Sequence, residues 1–458
     1  MIGISFYNAY WFDPAALALW NDQATLTRWL DVEVALARVQ AQLGVIPKAA
    51  AARIADVANV EAFDLADLAA AIAIAQHPLV PVLHRLEALA GEEAGGWLHW
   101  GATTQNIFDT AQALQLKATT ELVLGHLEAV CDRLARDARL HHATLQAGRT
   151  HGQHALPITY GFKVAGWLAE LRRHQGRLQA LLPHAFVARL GGAVGAYSAL
   201  QGQGRAVEQA LAQALDLVAP DIGGRADFDR QTEVMTAMAA CAACCERIAA
   251  DLSFLQRTEI AEVAEDHYPD RVGSSTMAQK RNPSEAQRVI ALARLTRSRI
   301  PLALEAMVRQ DEGDAASTNV TDVLLPDFGV LAVSTVAALR RLVANVHVDA
   351  ARMRANLDIS GGMISAEAVM MDLGRRIGRG EAHHILHEAT ATAVETGVDF
   401  ATAIKTHPSL TGTLQSVDIA AMLDPAGYLG EIEAVIEAVA GPDNPPENGA
   451  LANAATSP

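Results

Sequence analysis

Residues 107–140 read IFDTAQALQLKATTELVLGHLEAVCDRLARDARL, a run that lies inside a proline-free gap from Pro81 to Pro157. Proline removes a backbone donor and breaks helix interiors, so such a gap permits a helix far longer than the globular average. Within it, Leu116, Val123, Leu127, Val130 and Leu134 fall on one face at near-heptad spacing. The stretch reads as one long helix built to pack against others. Long gaps also follow Pro183, Pro220, Pro301 and Pro326. The same reasoning makes 160–182, 232–264 and 330–345 helices, and 284–309 a helix with a break at Pro301. No βαβ alternation or hairpin series appears. The fold class expected is all-α.

Composition agrees. Of 458 residues, 51% are hydrophobic but only 5% aromatic, and alanine is abundant. Alanine loses no side-chain entropy in a helix and lets neighbours approach closely. The formal net charge is −16 with no basic run, which argues against nucleic-acid and anionic-membrane partners. No uninterrupted stretch is read as a membrane span, and the N-terminus lacks the pattern of a secretory signal. Cys131, Cys241, Cys244 and Cys245 are too few for a disulfide framework, so a reduced, cytoplasmic protein is expected. The Cys241-Ala-Ala-Cys244 pair has no second pair at metal-ligand spacing, and in an Ala-rich helical run it reads as buried apolar packing.

Shorter helical patterns, separated by Gly44–Pro47 and His77-Pro78, mark 1–98 as an N-terminal helical domain. The long helices occupy 99–345. Glycines at 361, 362, 374, 378 and 380 break up a small third domain over 346–440. Residues 441–458 have the composition of a disordered tail. No internal repeat is evident.

On a long-helix scaffold, chemistry should appear as polar, glycine-containing islands at helix ends. There are three. Gly101-Ala-Thr103-Thr104-Gln105-Asn106 precedes the first long helix; its hydroxyls could cap that helix or, with the helix-start amides, hold a carboxylate. Gly148-Arg149-Thr150-His151-Gly152-Gln153-His154 carries two histidines suited to proton transfer, or to plain loop structure. Arg271-Val-Gly273-Ser274-Ser275-Thr276-Met277-Ala278-Gln279-Lys280-Arg281-Asn282-Pro283 is long, and it offers donors to a carboxylate just before a proline-started helix. An ordinary connector rarely combines these residue types in this order.

The third island resembles the fumarase/aspartase superfamily signature Gly-Ser-Ser-x-Met-Pro-x-Lys-x-Asn-Pro, with Ala278 where that family has proline. Arg149-Thr150-His151 resembles the family's Thr-His region, and Ala102-Thr103-Thr104-Gln105 its Thr-Ser region. Asn356-Leu357, Gly362–Glu367 and Gly378–His383 resemble its C-terminal domain, so the likeness covers about 1–440. Within the superfamily, Trp97–Thr110 and His77–Pro81 look most like 3-carboxy-cis,cis-muconate cycloisomerase, which carries Trp at the position of His151. Arg149–His154 instead matches adenylosuccinate lyase. The latter's Arg-Asp-x-Ser-His-Ser phosphate motif is replaced by the acidic Val308–Ser317.

The resemblance implies three helical domains and a homotetramer with a twenty-helix core. It also implies active sites that take the three islands from three subunits. It makes Ser275 the base for a carbon-bound proton and His151 the acid for the leaving group. Lys280 and Asn282, beside Ser274, hold the activated carboxylate. Thr103, Thr104, Gln105 and Thr150 hold the other, with His77 and Arg230 also in the substrate site. The acid's partner would fall near Gln287 or Glu285. The expected reaction is β-elimination from an N-substituted aspartate or related succinyl compound to give fumarate. A cycloisomerase is the alternative, and a silent scaffold a remote one. A small dicarboxylate substrate is implied, with no metal and no organic cofactor.

Overall fold

The computed structural model describes residues 3–266, 276–277, 279–410 and 418–441. The chain is 68% helical and all-α in class. Ser274, Ser275 and Ala278 of the third island lie outside the described residues, as do 442–458 of the expected tail.

The long-helix reading holds. Thr104–Leu140 is one helix of 37 residues, and Tyr160–Leu181, Asp229–Leu255 and Ala315–Ala344 are the other long ones. Leu116, Val123, Leu127, Val130 and Leu134 are all buried, as their spacing required. Near Pro301 the helix breaks as expected, into Ser284–Arg297 and Ile300–Glu305.

Four expectations need correction. The last long helix starts at Ala315 and runs through Pro326. A proline inside a helix costs about 3 kcal/mol. Complete burial of Leu325, Phe328, Val333, Leu339 and Leu342 offsets that, at about 1.5–3 kcal/mol each. By length and composition this helix is also apolar enough to cross a membrane, against the reading that no stretch is; most of its apolar window is buried within the protein, as in a core helix. The helix expected over 232–264 stops at Leu255. Ala261 there takes a left-handed conformation (φ 51°), and Val263–Glu265 pairs antiparallel with Val346–Val348. Finally, the second island is a β-hairpin, Leu145–Thr150 against Gln153–Thr159.

By contact the chain divides into two compact units, and the long helices contribute to both. The first comprises 1–130, 171–251 and 282–342; the second comprises 131–170, 252–281 and 343–458. The first is cored by Leu26, Leu36, Ile54, Leu86, Ile107 and Leu190. The second includes an apolar cluster around Val369, Ile385, Phe400 and Ile404. All four cysteines are buried and none forms a disulfide, but Cys244 Sγ comes within 4.8 Å of a His174 ring nitrogen, a partner its sequence spacing did not show.

Candidate active site

In the first unit, the Thr104–Leu140 helix begins inside the first island. The amide of Asn106 already donates to Thr103 O at 2.8 Å, and the amides ahead of it in a helix's first turn are the ones that suit an anion. Asn106 organises the start: its Oδ1 accepts from Thr103 N at 3.0 Å and from Gly192 N at 3.1 Å. Gln105 donates from Nε2 to Asp109 at 2.7 Å. His77 joins this group. Its Nδ1 accepts from the amides of Leu79 (3.3 Å) and Val80 (3.4 Å) at the start of the next helix. An accepting Nδ1 leaves the proton on Nε2, which lies 3.3 Å from Thr104 Oγ1. The imidazole therefore donates, and the Thr104 hydroxyl is free to donate onward. The His77 ring also stacks on Phe108, with centroids 6.1 Å apart.

Just before this island, His99 adopts a left-handed backbone (φ 59°), uncommon outside glycine. Its Nδ1 lies 2.6 Å from Glu33 Oε1, and the Glu33 side chain is 1% exposed. This pair was not singled out in the sequence. A lone Glu on an apolar helix face was its one signal.

In the second unit, the hairpin turns on two residues, His151 (φ 52°) and Gly152 (φ 78°). Positive φ at both central positions matches the twist of paired strands, but it favours Asn, Asp and Gly; a histidine there is a costly choice. Thr150 and His151 are exposed at this tip. Gly148 allows the bulge below it, because a Cβ there would meet Leu156 O at 2.7 Å.

Arg149 anchors the tip. Its guanidinium bonds both oxygens of Glu262, whose side chain is fully buried. Gln146 Nε2 (2.7 Å) and Asn356 Nδ2 (2.8 Å) also donate to Glu262, and Arg149 lies 5.9 Å from the centre of the Phe254 ring. Burial pushes the Glu262 pKa up, but hydrogen bonds from Arg149, Asn356 and Gln146 outweigh it and hold the group below the ordinary 4.5. Sequence reading named Arg149 without this partner, since Glu262 is 113 residues away. Burial, with the Arg149 charge second, holds His154 below the ordinary histidine range, while Glu262 opposes the shift.

Of the remaining candidates, Lys280 is exposed in the second unit, with its amide bonded to Met277 O at 3.0 Å. Asn282 is half-buried, and its carbonyl accepts from Ser284 N at 2.8 Å just ahead of the Ser284–Arg297 helix. Arg230 lies 3.7 Å from Asp221. Glu285, a candidate partner for the acid, is instead taken by Arg288 (2.9 Å) and Arg341 (3.9 Å) in the first unit. In the acidic segment, Asp314 accepts from Ala316 N and Ser317 Oγ and so caps the Ala315–Ala344 helix.

The chain matches the Lyase family over residues 12–295 and the Adenylosuccinate lyase C-terminus family over 362–439. It is 36% identical to the N-acetyl-S-(2-succino)cysteine lyase of Enterococcus italicus, over 90% of each chain. It is also 36% identical to the 3-carboxy-cis,cis-muconate cycloisomerase of Bradyrhizobium diazoefficiens, over 92% of this chain and 94% of that one. Among solved structures, the fumarate lyase from Mesorhizobium sp. BNC1 superposes with a TM-score of 0.88 at 35% identity, over 96% of this chain and 99% of the other. With the signature of the third island, a helical fold of this kind and matches along nearly its full length, this chain belongs to the fumarase/aspartase superfamily of lyases.

Proposed function

We propose that this protein is a fumarate-forming lyase that eliminates an amine or thiol from a substituted succinate. The observation that carries the reading is His151, exposed beside Thr150 at a strained two-residue turn whose neighbour Arg149 is locked to Glu262. Strain held at an exposed titratable side chain points to use. Ser275, as an alkoxide, takes the proton from the carbon beside one carboxylate. The electron pair moves into that carboxylate as an aci-carboxylate dianion, then returns to form the C=C bond as the C–N or C–S bond breaks. His151 protonates the departing atom. Lys280, Asn282 and Ser274 stabilise the dianion, usually the largest single catalytic contribution. Thr103, Thr104, Gln105 and Thr150 hold the second carboxylate, with His77 fixing Thr104 and Arg230 completing the substrate site.

The active form in this reading is a homotetramer whose sites each draw the three islands from three chains. A reducing cytoplasm suits its four free thiols. The alternative, a cycloisomerase, is favoured by the muconate enzymes among its relatives. His151 speaks for elimination, because ring closure releases no group that needs a proton.

Incubation of the pure protein with fumarate and a panel of amines and thiols, followed by mass spectrometry, should reveal succinyl adducts. Lactone formation from 3-carboxymuconate, with no adduct, would select the alternative. Sharing of sites is tested by mixing inactive Ser275→Ala and inactive His151→Ala proteins under subunit exchange. Partial recovery of activity is expected, since some mixed sites carry neither lesion. A monomer by light scattering, or no recovery despite proven exchange, would contradict it.

A further inference from the structure

A cavity of about 160 Å³ in the first unit has a lining unrelated to dicarboxylate chemistry. Trp20, Trp29 and Phe108 line it, with Pro326, Gln112 and Asp322. The rings are fixed. Trp29 and Phe108 pack with centroids 5.0 Å apart at 51°, and Trp20 Nε1 donates to Thr119 Oγ1 at 3.0 Å. Gly329 lets the opposing helix come this close, since a Cβ there would meet Trp20 Nε1 at 2.4 Å. Asp322 is exposed to solvent, and one carboxylate oxygen accepts from Gln112 Nε2 at 3.0 Å. Pro326, one turn later, has no amide hydrogen to return to the Asp322 carbonyl. Asp322 thus brings a carboxylate to an aromatic chamber.

We propose that this cavity binds a small organic cation, an alkylammonium head seated among Trp20, Trp29 and Phe108 and neutralised by Asp322. Ring faces attract a desolvated cation, and enclosure by several rings beside a carboxylate is the arrangement that recognises quaternary ammonium groups. A neutral apolar guest of the same shape would gain from the rings but nothing from the carboxylate. An anion would meet Asp322 directly. Burial pushes the Asp322 carboxyl above its ordinary 3.8; the Gln112 hydrogen bond opposes this, the Asp109 charge adds to it and Arg309 opposes it, so a bound cation would restore the ionised form. The volume suits a head group of a few carbons rather than a drug-sized ligand. Of the lining residues only Phe108 touches the proposed substrate site, through its stacking on His77; Trp20, Trp29 and Asp322 have no part in the elimination, so tests at Asp322 and Trp29 stand or fall apart from the lyase reading.

The test compares choline with its neutral carbon isostere, 3,3-dimethylbutan-1-ol, by NMR titration of the full-length protein without dicarboxylate present. Choline should bind saturably in the millimolar range or better, at one site per chain, and about tenfold more tightly than the isostere. Asp322→Asn keeps an acceptor for Gln112 at an exposed position. It should weaken choline about tenfold and leave the isostere unchanged. Trp29→Leu should weaken choline several-fold. Absence of saturable choline binding, equal binding of the isostere, or choline binding unaffected by Asp322→Asn would each overturn the proposal.

Discussion

Two histidines of this chain stand in left-handed backbone beside a polar island, and a buried glutamate serves each island differently. In the first unit Glu33 grips His99 itself, at 2.6 Å. In the second unit Glu262 grips Arg149, three residues before the tip glycine, and His151 is left exposed. The same device, a carboxylate taken out of water and satisfied by a partner, immobilises a histidine in one case and presents one in the other. His99 is thereby a structural support for the Thr103–Gln105 group. His151 stands exposed at a tip that the Arg149–Glu262 pair anchors. Buried charge is weak evidence of stability in itself, but removal of one partner is costly.

The largest effect should come from the presenting side. Glu262→Ala leaves the Arg149 guanidinium without its counter-charge, along with two orphaned amide donors, and should cost about 3–5 kcal/mol on denaturant unfolding. Its acid dependence has a definite sign. The folded-state pKa of Glu262 is depressed below 4.5, so its stabilisation is complete above that pH. It is lost as pH falls through the folded value. The stability gap between wild type and Glu262→Gln should therefore narrow in acid below 4.5; a constant gap would mean that the carboxylate charge is not what holds the hub.

Next comes the gripped histidine. His99→Ala leaves the buried Glu33 unpaired, at about 1–3 kcal/mol, and puts alanine in a left-handed conformation at about 1–2 kcal/mol more. His151→Asn should change stability by less than about 0.5 kcal/mol, because its side chain is exposed and Asn tolerates this backbone. Equal destabilisation by the two variants would erase the distinction between them.

A smaller cost than that of His99→Ala belongs to His77→Phe. It keeps the stacking on Phe108 but removes the bond to Thr104 and the helix-start acceptor, at about 0.5–1.5 kcal/mol. Steady-state kinetics should show a several-fold rise in KM with kcat less affected, since Thr104 then holds its carboxylate less firmly. An unchanged KM would take Thr104 out of the substrate site.

Legibility in the sequence followed the range of the interactions. The long helices were readable because heptad spacing and proline gaps are local, and Leu116 through Leu134 are buried as that spacing required. The hairpin was not, because Arg149–His154 carries none of the Asn-Gly or Asp-Gly dipeptides that usually mark a two-residue turn. Nor was continuity through Pro326, where tertiary burial of Phe328 and its neighbours overrides a local rule. The islands were visible as residue types in order. Their supports were not, because Glu33 is 66 residues from His99, and Glu262 is 113 from Arg149. Signature residues Ser274 and Ser275 rest on resemblance alone.

The central claim, that His151 is an acid for a leaving group, is tested most directly by product analysis of wild type and His151→Asn side by side. Each would be given an N- or S-substituted succinate and, separately, 3-carboxymuconate. The account predicts that the wild type releases fumarate and forms no useful lactone. In His151→Asn, fumarate release from the amine-bearing substrate should fall by roughly two to four orders of magnitude, the usual worth of general acid catalysis. Efficient lactone formation by the wild type, surviving the loss of His151, would contradict it.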